Sequence, residues 1–144
     1  MGPQGPAGPE GSVGKQGPMG GMMVLGHAVT SNVLDSYAGL FGGITAPRPN
    51  AVDAPSPVAC ITGVLRVYAT ALAPFAGYVD VTLNVNGGNT QVFCRASFNG
   101  SMAARCENTR DNFEVIAGQM LSVRLQYSEP PLSGGHVSWS LACR

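Results

Sequence analysis

The side chains of this 144-residue chain that could do chemistry are four cysteines, two histidines, eight carboxylates and eight basic residues. Cys60, Cys94, Cys106 and Cys143 admit three pairings if all four are bridged. Reflecting the chain about a tight turn centred on Gly100 sets Cys94 opposite Cys106, inside the roughly 4.4–6.8 Å Cα separation a disulfide needs. Free buried thiols are the alternative. Zinc is the rival ligand for the four sulfurs, but no Cys-x-x-Cys pair exists and the cysteines are far apart in the chain. His27 and His136 fall in no nucleophile or metal pattern and read as solvated loop residues. Asp80, Glu107, Asp111, Glu114 and Glu129 are scattered, without the paired arrangement that holds one carboxyl protonated and its neighbour ionised. We therefore expect no enzyme, no cofactor and no metal.

Arginine offers a different chemistry. Arg95, Arg105 and Arg110, with Asn108 between the last two, are the ligand-binding candidates, because guanidinium forks grip carboxylate or sulfate groups on a glycan bidentately. Pairing with Glu107 and Asp111 competes with that use. The run Asn108-Thr109-Arg110-Asp111-Asn112 is polar but lacks the repeated Asp/Asn spacing of a calcium loop. Asn99-Gly100-Ser101 is an N-glycosylation sequon, and Asn-Gly is first of all a hairpin turn.

Two compositions position these groups. Gly2, Gly5, Gly8, Gly11, Gly14, Gly17 and Gly20 recur with a strict period of three, and Pro3, Pro6, Pro9 and Pro18 each follow one of them. Three polyproline-II strands wind together only if every third residue lacks a side chain at the crowded axis, so residues 1–22 read as a collagen-like stalk of three chains. An unstructured linker has no reason to keep that period. The Y positions, Gln4, Ala7, Glu10, Val13, Gln16 and Met19, carry no proline, which suggests a stalk made without prolyl hydroxylation and hence a bacterial or viral origin. Met1 directly before the first triplet suggests truncation of a longer repeat.

The remainder, with a junction at 23–36 and a head at 37–144, shows period-two alternation. Val79, Val81, Leu83 and Val85 share one parity, while Asp80, Thr82 and Asn84 take the other. Asn86-Gly87-Gly88-Asn89 then turns the chain. Val92, Cys94, Ala96 and Phe98 share a face, as do Leu121, Val123, Leu125 and Tyr127, and finally Val137, Trp139, Leu141 and Cys143. Only Val24 to Tyr37 could form a short helix. Many short strands separated by Gly, Pro and Asn turns predict an all-β antiparallel jelly-roll sandwich behind the stalk.

Zero formal net charge and a single lysine, Lys15, argue against a nucleic-acid partner. No apolar run approaches the roughly 20 residues of a membrane-spanning helix, so no membrane insertion is expected. Neither a basic start nor an apolar stretch follows Met1 as in a signal peptide.

The order of parts resembles a known family. A collagen stalk followed by an all-β head is similar to the complement and tumour-necrosis-factor-like trimeric jelly rolls, and more narrowly to bacterial collagen-like surface proteins of the exosporium type. Tyr37-Ala38-Gly39-Leu40-Phe41 as a first strand, Pro74-Phe75-Ala76-Gly77-Tyr78 opening a long one, and Val115-Ile116-Ala117-Gly118-Gln119 before Leu121 carry the resemblance. Gln119 stands where the family commonly has an acidic residue. The resemblance implies a homotrimer whose heads hold three stalk ends in register, with Tyr37, Leu40 and Phe41 as trimer-axis candidates; filling a monomer core is their other use. It also makes the strands of Cys60 and Cys143 neighbours, which would pair those two cysteines. Bridged cysteines would place the protein outside the reducing cytosol.

The expected function is that of a non-enzymatic, surface-exposed adhesin on a cell, spore or virion. Its partners are two further copies of itself and a surface glycan or protein receptor, with three weak sites gaining a factor on the order of 100 to 10,000 by avidity. A structural coat protein without a specific ligand, or a phage tail-fibre receptor-binding tip, is the alternative.

Overall fold

The computed structural model describes residues 22–29, 33–43, 45–57, 59–129 and 135–144. The Gly-X-Y triplets lie outside them. The described chain is an antiparallel β-sandwich of eleven strands with one 3-10 turn at Pro49–Ala51. The strands are β1 (Met22–Val29), β2 (Asp35–Gly39), β3 (Thr45–Ala46), β4 (Ala54–Pro55), β5 (Cys60–Phe75), β6 (Tyr78–Val85), β7 (Gly88–Ser97), β8 (Ser101–Asn108), β9 (Glu114–Val115), β10 (Met120–Tyr127) and β11 (His136–Cys143). The first sheet runs β1-β11-β5-β8 with β9 on β5, and the second runs β3-β2-β10-β6-β7 with β4 on β10. This strand order fits a jelly roll.

Alternation decides which side of each strand is buried. Val79, Val81, Leu83 and Val85 of β6 meet Leu121, Val123, Leu125 and Tyr127 of β10 in the core, against Leu65, Val67 and Ala69 of β5 and Val137, Trp139 and Leu141 of β11. Each such Val or Leu contributes about 1.5–3 kcal/mol on burial. The turn between β6 and β7 places Asn86 and Gly87 at φ 51° and 81°, and the one after β7 places Asn99 and Gly100 at 49° and 78°. Both pairs occupy the left-handed region, where Asn and Gly are the residues of least cost.

Three expectations change. The stretch considered for a short helix is instead two strands, so the sheets already include Met22–Val29 and the first described strand is β1, not Tyr37 to Phe41. Gly26 on β1 has no room for a side chain: a Cβ there would lie 2.5 Å from Leu40 O and from the Trp139 ring. That contact lets the buried Trp139 Nε1 donate to Leu40 O at 2.9 Å, tying β1 and β11 to the turn after β2.

Cys94 and Cys106 are bridged, with Cα atoms 5.9 Å apart, but not across a hairpin ladder. β7 pairs with β6, and β8 pairs with β5. The chain therefore changes sheet at Asn99-Gly100, and the bond joins the two sheets where their edges meet. Equidistance from Gly100 holds equally for a corner and for a hairpin. Cys60–Cys143, with Cα atoms 5.6 Å apart, instead links the neighbouring strands β5 and β11 within the first sheet. Two disulfides point to a compartment other than the reducing cytosol.

Candidate functional site

The outward face of the first sheet carries a group of exposed apolar side chains. Register builds it row by row. Leu25 stands beside Ser140, then Arg66, then Glu107; His27 beside Ser138, then Tyr68, then Arg105; Val29 beside His136, then Thr70, then Ala103. Met23 lies beside Ala142. Residues sharing a row across a sheet have neighbouring Cβ atoms on one face.

The central strand of that face, β11, offers only Ser138, Ser140 and Ala142 between taller neighbours. The result is a trough of about 500 Å³ floored by Ser138 and Ser140 and walled by Leu25 and Tyr68, with Arg66, Arg105 and Glu107 at its far side. Met23, Leu25, Val29, Tyr68 and Leu72 are each at least half exposed. A row of large apolar side chains facing solvent on an edge strand marks a contact surface, because single scattered ones need no explanation but contiguous ones do. Arg66 Nε donates to Glu107 Oε2 at 2.8 Å on the rim. Such an exposed pair fixes position more than it adds stability.

The arginine candidates divide between two places. Arg105 belongs to the trough on the first sheet, whereas Arg95, Asn108 and Arg110 line a second groove of about 540 Å³, with Phe93 and Asp111, at the mouth between β7 and β8. Arg95 is committed: its guanidinium donates twice to Asp80, at 2.7 Å each, and lies 3.8 Å from the centre of the Tyr78 ring. The hydrogen bond to Asp80, joined by its charge, raises Arg95 above the ordinary arginine value, so it is a fixed cation at every physiological pH. Asn108 closes the loop after β8, donating Nδ2 to Phe93 O and Asp111 Oδ2 while Oδ1 accepts from the backbone N–H groups of Arg110 and Asp111. Of the two arginines in this groove, Arg110 takes part in no ion pair among the described residues.

The trimer-axis candidates separate as well. Leu40 is buried in the monomer's own core, Phe41 is 60% exposed, and Tyr37 sits on the outward face of the second sheet beside Arg124. Arg124 is held by Asp35 in a bidentate pair at 2.9 and 2.5 Å, and the hydrogen bond to Asp35 raises it in the same way. His27 and His136 are exposed strand residues on the trough's face, on β1 and β11. Asn99 of the sequon forms the corner turn between the sheets.

Sequence reasoning did not single out Met23, Leu25, Val29 and Tyr68. Their signal is an inverted alternation: on β1 the inward positions are the small Val24, Gly26 and Ala28, and the outward ones are larger. Among the described residues no three of His, Cys, Asp and Glu converge as a metal cluster, and no helix is long and apolar enough to cross a membrane. Compared with known proteins, the chain matches no family model and no curated protein.

Proposed function

We propose that this chain is a non-enzymatic, surface-exposed protein that works as a homotrimer, its head holding three collagen-like strands in register. One juxtaposition carries the reading. The period-three glycines run to Gly20, and two residues later the chain is already β1, the edge strand of the sheet whose outward face exposes Met23, Leu25, Val29 and Tyr68. Winding requires three ends held together, and the surface next to those ends is the apolar one. Burial of that face between copies stabilises the trimer, and the trimer raises the local concentration of stalk ends to a millimolar scale or more. The strand order supports a head of the tumour-necrosis-factor-like kind.

Two arms of one experiment test this. Light scattering on the full chain should return three times the 14.8 kDa chain mass, with a triple-helix circular dichroism signal. Leu25→Asp should keep the folded head, since Leu25 is exposed in the monomer, and lose both the trimer and the signal. A wild-type chain that sediments alone removes the proposal.

Binding of a surface glycan or receptor, the adhesin role, rests on the groove of Arg95, Asn108 and Arg110. The commitment of Arg95 to Asp80 and of Asn108 to its own loop leaves Arg110 as the groove's one arginine without an ion pair among the described residues, which favours the structural-coat role. Avid, trimer-dependent binding on a glycan array, lost in Arg110→Ala, would decide for the adhesin.

A further inference from the structure

Both histidines of the chain stand on the face that assembly of the trimer would close. His27 on β1 is the register partner of Ser138 on β11, and His136 lies two positions before Ser138 on the same strand. The two imidazoles are therefore diagonal neighbours on the outward side of the first sheet, at a separation of about 7–8 Å between backbone positions. Both residues are exposed in the single chain.

Their surroundings are basic. Apart from the bridged cysteines, the titratable side chains of β1, β11, β5 and β8 are His27, His136, Arg66, Tyr68, Arg105 and Glu107. Arg105 ends the row of His27, beyond Ser138 and Tyr68, while His136 has Val29 on one side and Thr70, then Ala103, on the other. Neither row contains a carboxylate. Glu107 stands in the next row beside Arg66, which donates to it at 2.8 Å. Glu114 on β9 and Arg144 sit at the opposite end of β5, beside Ile61. Two arginines against one glutamate give the four strands a charge of +1 with both imidazoles neutral, and +3 with both protonated.

We propose that this pair is an acid switch on assembly: the face joins copies of the chain at neutral pH and releases them as pH falls through the imidazole range. The proposal rests on the trimer reading above. Closing the face takes water from both rings, and burial without a paired anion disfavours the charged form. Assembled rings then bind protons more weakly than separate ones, so the contact is whole at neutral pH and is lost on acidification. An imidazole ionises near pH 6.5, which places the change between about pH 7 and pH 5. Six rings in each trimer multiply a small effect. A factor of about three from each lowers the association constant on the order of 1,000-fold.

Sedimentation of the full chain over a concentration series at pH 7.5 and pH 5 tests this, with Trp139 emission and far-ultraviolet circular dichroism read on the same samples. The association constant should fall on the order of 1,000-fold or more at pH 5 and recover on neutralisation, while Trp139 keeps the emission of the folded head. His27→Gln combined with His136→Gln should remove the difference between the two pH values. The single variants His27→Gln and His136→Gln, which each leave one ring in place, should show a smaller fall than the wild type. A chain that is single at pH 7.5 as well removes the trimer reading, and the switch with it. Three results overturn the switch alone and leave the trimer standing: equal association at both pH values, a full pH dependence retained in the variants, or a head that unfolds at pH 5.

Discussion

Removing each disulfide separately measures how the sandwich is stapled. In the chain-entropy account a cross-link stabilises by shrinking the unfolded ensemble, in proportion to the logarithm of the loop it closes. Cys94–Cys106 spans 12 residues of sequence and Cys60–Cys143 spans 83. Those separations correspond to about 2.8 and about 4.6 kcal/mol at 25 °C. The difference, about 1.7 kcal/mol, is roughly a 15-fold to 20-fold ratio in the unfolding equilibrium constant. The perturbation is a pair of double variants, Cys94→Ala with Cys106→Ala, and Cys60→Ala with Cys143→Ala. Urea unfolding followed by Trp139 fluorescence, at one protein concentration, gives both stabilities. The corner variant should unfold at the higher urea concentration of the two, and both should fall below wild type. Equal losses, or a larger loss at the corner, would show that the Cys94–Cys106 bond acts in the folded state by holding the sheet edges together, and that loop closure is not its main contribution.

Two further substitutions probe the core and its edge. Tyr127 is buried with its hydroxyl unpartnered, and burial raises the phenol above its ordinary value. Because the folded-state value lies above the unfolded one, the associated stability is intact below about pH 10 and is lost as pH climbs further. Tyr127→Phe should be neutral or stabilising by up to about 1 kcal/mol at pH 7 and should flatten the decline above pH 10, as read by urea midpoints across pH; a large loss at pH 7 would mean that the hydroxyl has a partner. Gly26→Ala forces a methyl group onto Leu40 O and the Trp139 ring, so we expect a loss of about 1–3 kcal/mol and a shifted Trp139 emission. Unaltered emission and stability would show that β1 can move away without cost.

The strands that were legible are those with one clean face. Val79 to Val85, Leu121 to Tyr127 and Val137 to Cys143 alternate large apolar with polar residues, and each became a strand with its apolar side inward. β1 was not legible, because Val24, Gly26 and Ala28 face the core while Met23, Leu25 and Val29 face out, so both sides are apolar and the period vanishes. The proposed contact face was hidden for the same reason: the property that makes it a contact surface removes the contrast by which a strand is recognised. The arginine candidates were grouped by nearness in sequence, and the sandwich then sent Arg95 and Arg105 outward from different sheets.

By itself the amino-acid sequence determined what depends on neighbours a few positions away: the triplet glycines, the Asn-Gly turns and the alternating strands all act through sterics within a local stretch. Tertiary structure alone decided which sheet each strand joins, and so made the Cys94–Cys106 bond a corner staple. It alone set Asn84 and Ser122, far apart in the chain, side by side and fully buried on the outward face of the second sheet. Pairing between distant strands is chosen by the burial of whole faces together, and no window of sequence contains both partners.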